Sequence, residues 1–328
     1  MARSHLTLAA LATSAVAELD VAAAASFGSG SIGGHDGASD FDSALITGRD
    51  GRHWIIRVPR NPQAEAAQSA DLVALRTFSA GVRKRLPFAV STFAGQTPIY
   101  GTRAIVYEFV YGGKAPLGAF TPGPEGLATS AGRAIAAIHA LPTSVITDTG
   151  LPSFPAAASL RSAVTIMHRA AATGLVPSAL LGHWERIAED AALWQFQPTV
   201  INGALDADSL LFAEGAVTGI LGWQDLRVAD PARDLQWILG SRNDAVIAST
   251  FDAYERARGT VDGAIRQRAA LYSELEVAKW LLHGTEARST EIVDDAVLML
   301  ETLTDSIANQ PTSNQTADIE TLAKAAYR

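Results

Sequence analysis

The chain contains no cysteine. Disulfides, thiolate zinc sites, thiol nucleophiles and iron–sulfur clusters are therefore excluded together. Positive charge is also scarce. With 26 Lys and Arg against 34 Asp and Glu, the net charge is -8, and no block of five or more basic residues occurs. This argues against nucleic acid and against an anionic membrane as partners. The seven His are scattered, with no HExxH and no close pair to suggest a metal site. No apolar run reaches the roughly 20 residues that a membrane helix requires. A GxxxxGK[ST] phosphate loop is missing too.

What remains is a globular chain of 328 residues, ample for one large or two medium domains. Its first 17 residues imitate a secretory signal, with Arg3, an apolar stretch and Ala15-Val16-Ala17. Thr7, Thr13 and Ser14 dilute that stretch, while Leu8, Leu11, Ala12, Ala15 and Leu19 share one helical face. An amphipathic opening helix in a cytoplasmic protein is the expectation. Two strand-like runs, Phe41–Thr47 and His53–Val58, flank Gly48-Arg49-Asp50-Gly51, a hairpin turn signal. Helical spacing follows over Ala64–Ala80, then strand-like runs at Pro87–Phe93 and Arg103–Phe109. Val110-Tyr111-Gly112-Gly113 reads as a flexible connector. Beyond about residue 125 helices dominate: Ser130–Leu141, Ser159–Thr173, Pro177–Gln195, Pro231–Leu239, Ala245–Arg258 and Asp262–Glu286. Short strands are expected only at Thr199–Ile201, Leu210–Phe212 and Val217–Leu221.

Gly28-x-Gly30-x-x-Gly33 has the spacing of a dinucleotide fingerprint, but a strand hairpin follows it where that motif needs a helix. A phosphate-covering loop between strands, or a plain loop, fits better. The informative stretch is Thr199–Leu239. Gly203 and Leu205 sit in a loop, Leu210-Leu211-Phe212 and Val217–Leu221 form a short hairpin, Trp223 follows, and Asp230-Pro231-Ala232-Arg233-Asp234-Leu235 closes the set.

In that order these features resemble the core of the aminoglycoside and macrolide phosphotransferases, with their loop His-Gly-Asp-x-x-x-x-Asn, then Ile-Asp-Trp, then Asp-Pro-x-x-Asp-Leu. The resemblance implies an α+β, two-lobed protein-kinase-like fold. Residues 1–109 would form a small antiparallel sheet lobe, 110–115 a hinge, 116–306 a larger helical lobe and 307–328 a flexible tail. It implies that Arg57 is the phosphate-contacting cation with Asp71 as its acidic partner, and that Glu108 and Val110 lie where hinge backbone meets a purine. Asp230 and Asp234 become structural: a helix cap before a proline, and a brace for the loop. His139, at the end of an alanine-rich helix, reads as a core or cap residue. The substrate pocket would lie around 158–195, where Met167, His168, Trp184, Trp194 and Phe196 are apolar enough to be core.

The departures are concentrated. Asn202 stands at the loop His, Ala204 at the proton-accepting Asp, Ser209 at the magnesium-binding Asn and Gly222 at the principal magnesium Asp. Phosphoryl transfer rests on positioning and charge neutralisation by Mg²⁺. Alanine and glycine side chains supply neither a hard-cation ligand nor a proton acceptor. The expectation is a degenerate phosphotransferase, impaired in catalysis, with no metal site and a nucleotide or other small molecule in the interlobe cleft. A first alternative is an active enzyme using ATP or GTP with Mg²⁺, with Asp206, Asp208 or Asp225 recruited. A second is an interaction protein with no nucleotide site.

Overall fold

The opening helix α1 (His5–Ala15) starts at Ser4, whose hydroxyl accepts the Thr7 N–H. It lays Leu8 and Ala12 on the sheet that follows, against Ala44, Ile46, Trp54, Ile56, Val58, Ala104 and Val106. Leu11 and Ala15 pack on the same cluster, as the periodicity predicts; Leu19 joins them, though the helix ends at Ala15, short of the extent expected. The computed structural model describes residues 3–27, 40–260 and 262–308. The glycines at 28, 30 and 33, and the stretch from 309 on, lie outside the described residues.

The N-terminal sheet has the order β1-β2-β3-β6-β5 and is antiparallel throughout. β1 (Val21–Ser26) leads to β2 (Phe41–Gly48) and β3 (His53–Pro59), joined at the expected turn with Gly51 at φ 79°. Asn61 then caps α2 (Pro62–Thr77), with Pro62 in the first turn, and α3 (Ala80–Arg83) follows. The strand expected over Pro87–Phe93 is not there as such. Only Ala89–Val90 (β4) is extended, and it pairs in parallel with a later strand outside this sheet. The sheet is completed instead by β5 (Phe93–Ile99) and β6 (Thr102–Glu108). Gly95 and Pro98 disguise β5 in the sequence. Proline is tolerated there because β5 is an edge strand.

The connector after β6 is held rather than loose. Gly113 and Phe212 exchange backbone hydrogen bonds of 2.8 Å in both directions, and Thr218 Oγ1 donates to Tyr111 O at 2.8 Å. Gly112, at φ 144°, passes so close that a Cβ would meet Thr218 Oγ1 at 2.5 Å and Leu211 Cβ at 2.8 Å. That close approach is what the glycine serves, where its sequence neighbours suggested flexibility.

Helices then dominate: α4 (Leu127–His139), α5 (Ser144–Thr147), α6 (Ala156–Ala171) and α7 (Ser178–Glu189). β7 (Thr199–Ile201), β8 (Leu210–Ala213), β9 (Ala216–Ile220) and β10 (Arg227–Ala229) interrupt them. β8 and β9 form the expected hairpin, which β4 joins; β10 pairs with β7. The helix expected over Pro231–Leu239 is two 3-10 turns, Pro231–Asp234 and Gln236–Ser241. α8 (Asp244–Arg258), α9 (Ile265–Ala287) and α10 (Thr290–Ala308) complete the chain. No helix among the described residues is long and apolar enough to cross a membrane.

By compactness the chain falls into one unit of Met1–Ser159 with Ala192–Ala270 and another of Leu160–Ala191 with Leu271–Arg328. The second contains α7 and α10 and most of α6 and α9. Its Trp184 is fully buried and donates Nε1–H to Glu274 at 2.8 Å. The first unit holds all three sheets and the loops from which the site is made.

Candidate functional site

The loop after β7 begins with two consecutive backbone N–H groups, of Asn202 and Gly203. Both donate to the Asp234 carboxylate, at 2.7 Å to Oδ2 and 2.7 Å to Oδ1. Asp234 is completely buried, and its Oδ2 also lies 3.2 Å from His139 Nε2. His139 Nδ1 in turn lies 2.9 Å from the Tyr254 hydroxyl. The consistent tautomer has Nε2–H facing the carboxylate and Nδ1 accepting from the phenol. His139 is thus a core residue bonded on both ring nitrogens.

Four residues earlier, Asp230 accepts the Ala232 N–H at the 3-10 turn and takes the Arg268 guanidinium as a fork, at 2.8 and 3.1 Å. Arg268 also bonds Asp262 and the Leu193 carbonyl and stacks 4.2 Å from the Phe196 ring centroid. Burial disfavours its charge, but the bonds to Asp262 and Asp230 outweigh that and raise its pKa further. A buried cation with this many acceptors stays charged.

The positions at which the sequence departs from the pattern it resembles lie between these anchors. Asn202 is fully buried; its Nδ2 donates to Gly222 O at 2.8 Å and its Oδ1 accepts the Ala204 N–H at 3.1 Å. One side chain therefore stitches the 202–204 loop to the 221–223 loop. Gly222 is buried at φ 73°. Ser209 is turned inward, its Oγ donating to Asp206 Oδ1 at 2.6 Å while its N–H donates to the same oxygen at 2.7 Å. Asp206 is thereby a cap for the 3-10 turn Ala207–Ser209. Asp208 points to solvent, 3.5 Å from Lys114. Asp225 pairs with Arg227 at 3.2 Å, and Arg227 also reaches the Gly203 carbonyl at 3.3 Å. The three candidate replacement acids are thus each engaged separately. Among the described residues no group of three or more His, Asp or Glu is arranged to hold a metal.

On the sheet side, Arg57 from β3 and Asp71 from α2 line the same two cavities, together with Tyr107 from β6. Asp71 Oδ1 accepts the Trp223 N–H at 2.8 Å, which ties α2 to the residue after Gly222. Burial, and then the neighbouring Asp71 carboxylate, push the pKa of the Tyr107 hydroxyl up. Burial raises the Asp71 pKa, against the lowering pull of the Trp223 N–H, Arg57 and Tyr107. Burial likewise lowers that of Arg57, with Tyr107 and Asp71 acting in the opposite sense. The Arg57 guanidinium stacks on Phe41 at 5.4 Å. Glu108 pairs with Arg52 at the surface at 2.9 Å. The Glu108 and Phe109 N–H groups are bonded to Thr92 O and His53 O. Val110 lines the smaller cavity with Phe27, Ile55 and Phe109.

Two participants have no counterpart in the sequence reading: Tyr107 and Gln68. Gln68 precedes Asp71 by three positions on α2, so the two share a face; that spacing was the available signal. Met167, Trp184, Trp194 and Phe196 are all buried, while His168 is exposed.

Comparison with known proteins agrees with this architecture. Macrolide 2'-phosphotransferase MphH from Brachybacterium faecium superposes with a TM-score of 0.71 at 19% identity, covering 94% of this chain and 99% of that one. A macrolide 2'-phosphotransferase type I gives 0.68 at 22%, covering 92% and 98%. The GDP complex of wild-type aminoglycoside 2'-phosphotransferase-IIIa gives 0.70 at 16%, covering 93% and 99%. At such identities the likeness shows the fold, a kinase-like one with an N-terminal antiparallel sheet and a helical C-terminal part. The curated protein YcbJ of Bacillus subtilis (strain 168), uncharacterized, is 29% identical over 127 residues, 37% of this chain; the matched part is 41% of that protein's length. The family model for the phosphotransferase enzyme family matches residues 32–304. This chain therefore belongs to the phosphotransferase enzyme family.

Proposed function

We propose that this protein is a phosphotransferase-family member that binds a nucleotide or other small phosphorylated molecule in the cleft lined by Arg57 and Gly222 without turning it over. The observation that carries this is the state of the two loops. Ala204 and Gly222 offer no side-chain oxygen, and the polar side chains that remain are spent on the scaffold: Asn202 on Gly222 O and Ala204 N, Ser209 on Asp206. Mg²⁺ demands near-octahedral oxygen ligation, and the donor set at these positions does not meet it. A missing general base alone lowers the rate by about 10²–10⁴. Recruiting Asp206 would take it from its cap, and Asp208 and Asp225 are held by cations outside the loop.

Binding is supported by what is left in place. Val110 carries a backbone N–H and C=O with no partner among the described residues, at the position that resembles the family's hinge. The hinge at 110–115, between an N-terminal part and helices running to 306, belongs to the same proposal.

The test is restoration. Ala204→Asp with Ser209→Asn and Gly222→Asp should gain Mg²⁺-dependent ADP release from ATP, while the natural chain shows none above a buffer blank. Aspartate enters the left-handed region more readily than most residues, so φ 73° at position 222 does not forbid it. Mg²⁺-dependent turnover of ATP or GTP by the natural chain would overturn the proposal.

A further inference from the structure

We infer that β1, at the outer edge of the N-terminal sheet, and the acidic cavity beside its first residue together form a docking site for an extended, basic segment of a partner protein. Both lie in the first unit of the chain. The cavity includes neither Arg57 nor Gly222, and the site is independent of the cleft described above.

The two edges of the sheet are unlike. β5 is guarded: it carries Pro98, it bulges between Phe93 and Gly95, and the Ala15 carbonyl of α1 lies against Gly95. Such devices keep an edge from pairing with another chain. β1 reads Val-Ala-Ala-Ala-Ala-Ser, with no proline and no charge, and Ala22, Ala23, Ala25 and Ser26 are exposed. Its register shifts between Val21 and Ala23 and is regular from there on. Beyond the strand's end, the Phe27 N–H donates to Ser43 O at 3.4 Å. Opposed residues of an antiparallel pair alternate between bonded and non-bonded. Counting back from Phe27, the bonded pairs are Ala25 with Leu45 and Ala23 with Thr47, so the N–H and C=O of Ala24 and Ser26 face away from β2. No strand among the described residues covers that side. It is a ladder ready for one more strand.

The end of the ladder selects its occupant. An antiparallel newcomer leaves β1 at Val21 and meets Asp20, which lines a cavity of about 420 Å³. Four carboxylates line that cavity, those of Glu18, Asp20, Asp50 and Glu108, against the single guanidinium of Arg52. Arg52 pairs with Glu108 at 2.9 Å and lies over the Trp54 ring, 5.1 Å from its centroid. Arg49 pairs with Asp20 at 3.1 Å. Glu18 and Asp50 have no cationic partner among the described residues. The surplus negative charge attracts a Lys or Arg side chain and repels an acidic one. Backbone bonds to β1 would supply affinity and the cavity specificity, the division of labour usual in strand addition. A second copy of this chain fits less well, because its own β1 carries no cation to place there and its net charge is -8.

A fluorescein-labelled peptide of alternating Thr and Val, with one Arg near its C-terminus, tests this on the full chain by fluorescence anisotropy and hydrogen exchange. Binding should slow exchange at the Ala24 and Ser26 amides and leave β5 unchanged. Replacing the Arg by Glu, or moving it to the N-terminus, should weaken binding about tenfold. Glu18→Gln with Asp20→Asn should erase that preference. Ala24→Pro should abolish binding by removing an outward N–H, a position at which an edge strand tolerates proline. Ser26→Pro repeats the test at the next outward N–H, with circular dichroism confirming that each variant is folded. No binding at about 1 mM peptide, equal binding of the Arg and Glu peptides, or binding indifferent to both proline substitutions would overturn the assignment. So would arginine amide binding as tightly as the peptide, which leaves a cation cavity alone. A dimer in sedimentation that Ala24→Pro dissolves would overturn it too, by making a second copy the occupant. None of these results bears on ADP release, the readout for the cleft.

Discussion

Two neighbouring stretches treat charge in opposite ways. From Asp230 to Asp234 two carboxylates are buried at zero exposure, yet each is saturated: one by Arg268 and a backbone N–H, the other by two backbone N–H groups and His139. In the 202–209 and 221–223 loops, the positions that face a metal in the resembling pattern carry no charge at all. Of the acids present in the first loop, Asp206 caps a 3-10 turn and Asp208 points to solvent. A catalytic carboxylate is the reverse case, since it is kept poised for a substrate and its loss is rarely a loss of stability.

This contrast predicts a ranking. Asp234→Ala should be the most damaging, leaving two buried N–H groups without an acceptor, and should cost about 3–5 kcal/mol in urea denaturation. Asp206→Ala removes only a half-buried cap and should cost about 1 kcal/mol. If the two losses were equal, the distinction between a buried brace and a half-exposed cap would collapse.

Asp71→Asn is a finer probe. Burial raises the Asp71 pKa, so the stability linked to its proton is complete below the usual carboxylate value of about 3.9 and is lost as pH rises through the folded value. Asparagine keeps an acceptor for the Trp223 N–H and does not ionise. Relative to the natural chain, the variant should therefore gain stability as pH rises above the usual carboxylate value, as read from urea midpoints. Parallel curves for the two proteins would contradict this account of the carboxylate.

The parts that were legible in the sequence are those set by local chemistry. The β2–β3 hairpin follows from its turn, α1 and α2 from their periodicity, and the β8–β9 hairpin and the later Asp230-Pro231 turn from residues close in sequence. Strand β5 was hidden because Gly95 and Pro98 oppose strand formation, and only its edge position makes them acceptable. The 3-10 turns after Asp230 were read as a helix, since apolar spacing does not distinguish the two over so few residues. In the site, the departures of Asn202, Ala204, Ser209 and Gly222 from the resembling pattern were evident from residue type alone. Their new bonds were not: Trp223 lies 152 positions from Asp71, and Asp234 lies 95 from His139. Such links depend on how distant segments meet, which no local pattern encodes.

The opening helix has a consequence for how the chain can be handled. Leu8 and Ala12 are sealed against Ile46, Trp54 and Ile56, and a Cβ on Gly95 would sit 2.0 Å from the Ala15 carbonyl oxygen. A peptidase cutting at Ala15-Val16-Ala17 would strip the lid from an apolar sheet face. Trimming or fusion across this segment should therefore produce insoluble protein, whatever it does to the cleft.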